Sequence, residues 1–274
     1  MTQKFVARAS ACLLGAACCL GLTAAAADWQ DLYEAGTFAA RNEVNLPYRL
    51  MRPPADPSNP DQRFPLVVFL HGAGERGNDN QAQLKHVLKE FARDDRRRDY
   101  PCFVLAPQCP QDDRWIEVDW DAPAGHGTWP EQPSAVMAAL LEMVEDLSGR
   151  LPIDLDRVYL TGLSMGGYGT WYAAAHEPTR WAAAIPVCGG GDPSRVAPLA
   201  KLPLWALHGA EDSVVVPQRS REMIAAIQTL GGKPGYTEYP GVGHDSWVPA
   251  YADDQLFRWL FAQRRSEPDQ VDGR

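Results

Sequence analysis

Cysteine is scarce in this chain, and half of it sits where it is not expected to stay. Of six cysteines in 274 residues, Cys12, Cys18 and Cys19 fall within the first 19 positions, which leaves Cys102, Cys109 and Cys188 for the body. An odd set of three is no disulfide framework. Cys102 and Cys109 could pair, but an extended 102–106 would point their sulfurs apart at too great a separation. Three free or buried thiols are therefore expected. Basic residues are also in short supply, 26 Lys and Arg against 35 Asp and Glu, for a formal charge of −9. Setting aside Lys4 and Arg8 leaves 24 against 35, or −11. Such a surface repels phosphate backbones, which argues against a nucleic-acid partner. Internal repeats, low-complexity stretches, a twin arginine and a long apolar lid helix are all missing as well.

The first 27 residues read as a cleaved secretory signal. Lys4 and Arg8 precede a short apolar stretch at 9–22, and four alanines at 24–27 lie ahead of Asp28. That is the order of basic region, apolar region and small-residue cleavage site. A membrane anchor is the alternative, but the apolar run is short for a span. Export, to the periplasm or beyond the cell, follows as an expectation, with no membrane attachment after cleavage. Residues 28–265 are expected to form one domain, long enough to bury a large core. The polar segment 266–274 reads as a flexible tail.

Within the body, short runs that are apolar at every position alternate with helical patterns. The runs lie at 64–70, 102–106, 158–160, 182–187 and 202–207. Strands without polar alternation are buried on both faces, as in parallel sheets covered by helices. Helical patterns occupy 134–147, 168–175, 218–230 and 253–262, and Gly231-Gly232 stops the third. The segment 42–52 reads as an earlier, antiparallel strand, and 236–239 as a late one. This alternation predicts an α/β fold with a mostly parallel central sheet and helices on both faces. The stretch 107–133, rich in Pro, Gly, Asp and Trp, is long for a loop and reads as a wall of a substrate cleft.

Gly-Leu-Ser-Met-Gly at 162–166 has a buried strand before it and a helical pattern after it. That context turns a common string into a nucleophile elbow, the strained turn that lifts a serine hydroxyl above an α/β-hydrolase sheet. Ser164 is the candidate nucleophile. The flanking glycines make room where side chains would collide. A serine needs a histidine to take its proton. His244, in the polar turn 241–247 after the last strand, is the candidate base. Asp212, after the run ending at Leu207, is the candidate acid, with Glu211 as its rival. The chain order Ser164, Asp212, His244 leaves 48 and 32 residues for the strands and helices between them. His86 and His176 lie in helical patterns, and His126 lies in the long loop. His71 and His208 end strands as His-Gly pairs and read as turn residues supporting the site.

Acyl transfer also needs amide donors where the carbonyl oxygen becomes negative. The backbone N–H of Met165 is one candidate. Ala73 or Gly74, in the small-residue loop 71–77, supplies the other. Glu75 and Arg76 are expected to pair locally and brace that loop, or else to remain solvated.

Taken in order, His-Gly-Ala-Gly-Glu-Arg-Gly at 71–77, Ala-Pro-Gln-Cys-Pro at 106–110, Gly-Leu-Ser-Met-Gly-Gly-Tyr-Gly-Thr-Trp at 162–171, Pro-Val-Cys-Gly-Gly-Gly at 186–191, His-Gly-Ala-Glu-Asp at 208–212 and Gly-Val-Gly-His-Asp-Ser-Trp at 241–247 resemble a known family. It is that of the bacterial phospholipase/carboxylesterase-like α/β hydrolases, related to dienelactone hydrolases, prolyl oligopeptidase catalytic domains and the feruloyl-esterase/polyhydroxybutyrate-depolymerase group. The resemblance covers about 46–260. It implies the α/β-hydrolase fold, the triad named above, a small-molecule ester substrate, and neither metal nor organic cofactor. It adds Trp115 and Trp247 as candidate cleft residues, with packing as the alternative for each. Trp115, Trp120, Trp129 and Trp247 together would suit an aromatic acyl group or a sugar-linked ester. Two other functions stay open, a peptidase of prolyl-oligopeptidase type and a binding protein that kept the fold. The chain is short for the extra domain that such peptidases carry.

Overall fold

The computed structural model describes Met1 and residues 28–54, 58–119 and 128–265. The expected signal, the 266–274 tail, Trp120 and His126 lie outside the described residues. Eight strands form one sheet: β1 (Tyr33–Ala39), β2 (Asn45–Met51), β3 (Phe64–Leu70), β4 (Phe103–Pro107), β5 (Ile153–Leu163), β6 (Ala183–Val187), β7 (Trp205–Gly209) and β8 (Gly235–Tyr239). Their order across the sheet is β1-β2-β4-β3-β5-β6-β7-β8. β1 and β2 pair antiparallel with each other, and β2 pairs antiparallel with β4. Every other neighbouring pair is parallel. The helices are α1 (Leu88–Ala92), α2 (Asp94–Asp99), α3 (Ala135–Arg150), α4 (Met165–His176), α5 (Gln218–Thr229), α6 (Trp247–Ala252) and α7 (Asp254–Ala262).

The apolar run of β3 shows why the sheet is two-sided. All seven of its residues are buried. Leu66, Val68 and Leu70 enter one core with Leu140 of α3, Trp171 of α4 and Met223 of α5. Val67 and Phe69 enter the opposite core with Leu88 of α1, Tyr251 of α6 and Phe257 of α7. Alternate side chains of one strand thus feed two layers. Each fully buried Val, Leu or Phe contributes about 1.5–3 kcal/mol of transfer free energy. Helix α5 ends at Thr229, and Gly231 follows at φ +80, a left-handed turn that suits glycine.

Three expectations need correction. β1 was not anticipated: only Tyr33 of its seven residues is buried, so this edge strand has no apolar alternation to read. His86 lies in a bend ahead of α1 and not in a helix. In the long loop, Trp115, Ile116, Val118 and Trp129 are core residues beneath the sheet's helical layer, so the described part of the segment packs inward more than it walls a cleft. Among the described residues no helix is long and apolar enough to cross a membrane.

The parallel strands all present their carboxyl ends to one edge of the sheet. Loops after β3, β5, β7 and β8 therefore converge there, which is where open α/β sheets place their chemistry.

Candidate active site

Ser164 stands between β5 and α4 with φ +53 and ψ −118. The turn is tight enough that a Cβ on Gly166 would lie 2.0 Å from the Leu70 carbonyl oxygen, and one on Gly162 would lie 2.5 Å from that of Gly166. Both contacts are with backbone, so only glycine fits. The Ser164 amide donates to Val187 O at 3.0 Å, which ties the turn to the end of β6.

His244 brings its two ring nitrogens to two different partners. Its Nε2 lies 2.9 Å from Ser164 Oγ, and its Nδ1 lies 2.8 Å from Asp212 Oδ2. The structure thus gathers the three residues that the sequence separates by 80 positions. Glu211, the rival acid, is exposed, and so is Asp245. The acid and base turns are held together by backbone: Glu211 N–H donates to Val242 O at 2.9 Å, and Ala210 N–H to Tyr239 O at 3.0 Å. Asp212 is buried and well solvated by the protein. Its Oδ1 accepts from the amides of Val214 and Val215, each at 2.9 Å. Its Oδ2 also lies 3.3 Å from Nε2 of the fully buried His208. Burial pushes the carboxyl up, but the bonds from His208, His244 and the Val215 amide outweigh it and hold it well below the usual carboxylate range.

The loop after β3 passes close to the nucleophile. A Cβ on Gly72 would sit 3.6 Å from Ser164 Cβ. Ala73, half-buried, follows it and opens a 3₁₀ turn at Ala73–Glu75, while Gly74 is exposed. Met165, buried, begins α4, whose first-turn amides have no acceptor within the helix. His71 supports the loop from below. Its Nδ1 meets Gly72 O at 2.7 Å and its Nε2 accepts from the Cys109 amide at 2.9 Å. Burial lowers this imidazole to about 4, so the ring is neutral at neutral pH and its proton is on Nδ1.

Several side chains sit elsewhere than expected. Trp115 does not face the cleft: it is fully buried, donates Nε1–H to His71 O at 3.0 Å, and packs on the His71 ring at 5.2 Å. Trp247 is half-buried, with its ring edge-on to His244 at 5.5 Å and 5.1 Å from His86. Glu75 does not pair with Arg76. Its Oε1 meets His86 Nε2 at 3.1 Å, while Arg76 donates to Ala73 O and Asp113 O. Burial raises the Glu75 carboxyl, yet His86 and neighbouring positive charge bring it net below its ordinary value. Glu75, His86 and Trp247 thus link the loop after β3 to the His244 turn. Sequence reasoning missed that link because no periodicity relates positions 75, 86 and 247.

Cys102, Cys109 and Cys188 are free and buried, and burial pushes each thiol up to about 12. Cys188 offers its sulfur within 4.8 Å of ligand atoms of Asp212 and His244. Both nitrogens of His244 and both oxygens of Asp212 are already engaged in hydrogen bonds. The hydrogen bonds of Asp212 and His244 therefore fit a base oriented by its acid better than a metal cage.

A family model described as Esterase matches residues 43–230, more than two thirds of the chain, and ends before His244. A solved structure titled as a thermostable esterase is 41% identical with a TM-score of 0.79; the match covers 86% of this chain and 64% of that one. An uncharacterized secreted protein of Arthroderma benhamiae is 27% identical over 82% of this chain and 26% of its own length. A bifunctional acetylxylan esterase/xylanase of Neocallimastix patriciarum is 29% identical over 58% of this chain and 21% of its own length. The chain thus spans about a quarter of the length of these two curated relatives. With the elbow, the sheet order and the 43–230 match in agreement, the chain belongs to the Esterase family and has the α/β-hydrolase fold.

Proposed function

We propose that this protein is an exported serine carboxylesterase that cleaves carboxylic esters through an acyl-serine intermediate. The observation that carries the reading is the unbroken line Ser164 Oγ–His244 Nε2–His244 Nδ1–Asp212 Oδ2, at 2.9 and 2.8 Å, on a nucleophile elbow. Ser164 Oγ attacks the ester carbonyl while His244 Nε2 takes its proton. The carbonyl oxygen becomes an oxyanion between the amides of Met165 and Ala73. Ala73 is favoured over Gly74 because Gly72, beside it, makes the close approach to Ser164. Each such donor is worth about 10²–10³ in rate. Collapse expels the alcohol, which receives the proton from His244, and leaves Ser164 acylated. Water, deprotonated by His244, attacks the acyl group, and its oxygen ends in the carboxylic acid while Ser164 regains its proton. Asp212 keeps its charge throughout and faces the imidazolium as it forms.

The relatives support the coarser features. Esterase is the family, and one relative's printed name says that it is secreted. A sugar-linked ester is the finer proposal, and the acetylxylan esterase relative supports it. Among the described residues the aromatic argument for a feruloyl group narrows to Trp247, since Trp115 and Trp129 are core residues. Val214, Val216 and Val248, which follow the acid or the base within four positions in sequence, are exposed apolar residues.

The test is a panel of p-nitrophenyl esters of rising chain length, with methyl ferulate and an acetylated xylan, run on the parent and on Ser164→Ala. Turnover that falls by at least about 10⁴-fold in the variant is expected, in line with loss of a triad member. Equal turnover by both proteins would sink the serine mechanism.

A further inference from the structure

His208 is the last but one residue of β7 and is fully buried, in contact with both the acid turn and α5. Its Nε2 lies 2.7 Å from Val215 O and 3.3 Å from Asp212 Oδ2. Both partners can only accept, so Nε2 carries a proton. Its Nδ1 lies 2.8 Å from Ser220 Oγ, and that hydroxyl lies 3.0 Å from Gly189 O. Asp212 accepts from two amides on Oδ1 and from His244 on Oδ2, and the protonated His208 Nε2, bonded to Val215 O, stands 3.3 Å from the same Oδ2.

The oxygen shared by the two rings is the one that orients the base. A carboxylate oxygen has two in-plane lone pairs. With the His208 ring against one side of Oδ2, the other side is left for His244, and the carboxylate cannot swivel without losing the buried contact with His208 or the bonds from the Val214 and Val215 amides. The same contact draws negative charge away from the His244 side. We infer that His208 is a positioning residue of the esterase reaction, whose protonated Nε2, bonded to Val215 O and held 3.3 Å from Asp212 Oδ2, fixes the direction and the strength with which that oxygen holds His244. The inference rests on the serine-esterase reading above. The groups around the pair are few. Asp212 faces His208 on β7, His244 after β8, the Cys188 thiol after β6 and the Tyr168 hydroxyl on α4, near which Arg219 of α5 lies. Asp245 lies near the same thiol, and Glu238 of β8, paired with Arg221, faces His208.

Two amides separate the functions of the two ring nitrogens. In the full chain, the nitrogen of His208→Gln reaches toward the place of Nε2, whereas that of His208→Asn falls near Nδ1 and serves only Ser220. Steady-state kinetics on a short p-nitrophenyl ester would be followed across pH, beside melting temperature and fluorophosphonate labelling. His208→Gln is expected to keep most of kcat. His208→Asn is expected to lose about 10–100-fold in kcat, the scale for losing a group that orients a catalytic ligand, with KM little changed. Its acid limb of kcat/KM should move to higher pH, because Asp212 without the His208 N–H beside Oδ2 holds the imidazolium proton harder. Ser220→Ala, which leaves Nε2 untouched, should keep both the parent's kcat and its acid limb. Equal kcat and equal acid limbs for the Gln and Asn variants would overturn the inference. So would a Ser220→Ala variant that reproduces the Asn behaviour, since the histidine would then act by anchoring α5. A parent that fluorophosphonate does not label would sink the serine-esterase reading itself, and this inference with it. A labelled parent with indistinguishable variants would sink the inference alone.

Discussion

Ser164 holds a backbone conformation that few side chains tolerate. At φ +53 and ψ −118 it lies outside the ordinary regions for an L-residue, at a cost of about 1–3 kcal/mol. Surrounding contacts keep it there: the amide is bound to Val187 O, and the Gly166 backbone lies against Leu70 O. Glycine has no Cβ and is at ease in this region, although it loses more entropy on folding, by roughly 0.5–1 kcal/mol. Ser164→Gly and Ser164→Ala should both be inactive, and the glycine variant should melt higher, by roughly 2–4 °C for each net kcal/mol gained. Differential scanning calorimetry checks this; an alanine variant melting as high as the glycine variant would show that the turn is not strained.

At the scale of elements, α3 begins where the long loop is pinned to the core. Ser134 caps the helix by accepting from the Met137 amide at 3.0 Å. Its hydroxyl also donates to Trp115 O at 3.0 Å, the residue whose indole supports His71. A cap of this kind is worth about 1 kcal/mol. Ser134→Ala should lower the unfolding free energy by that amount, read as a lower urea midpoint with an unchanged slope, and leave KM for a small ester as it was. A changed slope would instead mean that the loop unfolds separately. The elements also explain which segments could be read in advance. β3 is apolar at every position because both its faces are covered, and α5 carries Met223, Ile224 and Ile227 on one buried stripe. β1 is an edge strand with a mostly exposed face, so its seven residues carry no pattern to find.

For the whole molecule, buried acids set the pH range in which the fold is stable. Asp212 and Glu75 both have net depressed values. Their contribution is present above the unfolded carboxylate range, about 3.9–4.3, and is lost as pH falls below it. The thiols of Cys102, Cys109 and Cys188 are raised to about 12. Their contribution is intact below the unfolded thiol value, about 8.5, and declines as pH rises from there through the folded value. His71, held neutral by burial at about 4, adds a loss that begins as pH falls through the unfolded imidazole value, about 6.5. The melting temperature should therefore fall off below about pH 6.5, more steeply below about pH 4, and again above about pH 9. Iodoacetamide at pH 8 should leave these three cysteines unmodified until the chain is denatured, as peptide mapping would show. Rapid native alkylation of any of them would contradict the burial that underlies the alkaline limb.

By itself, the sequence determined the mostly parallel sheet, the elbow at 162–166 and the order of Ser164, Asp212 and His244. These are local matters of chain pattern: continuous apolar runs, glycines where a turn needs them, and a polar turn after each strand. The tertiary structure alone decided how the side chains meet. It set Asp212 rather than Glu211 against His244, because the tied turns after β7 and β8 bury one and expose the other. It took Trp115 out of the cleft and into the core. It joined Glu75 to His86, and His208 to Asp212, across contacts that no spacing encodes. Hydrogen bonds over a few ångströms depend on where distant loops come together, and that is fixed by the packing of the whole sheet.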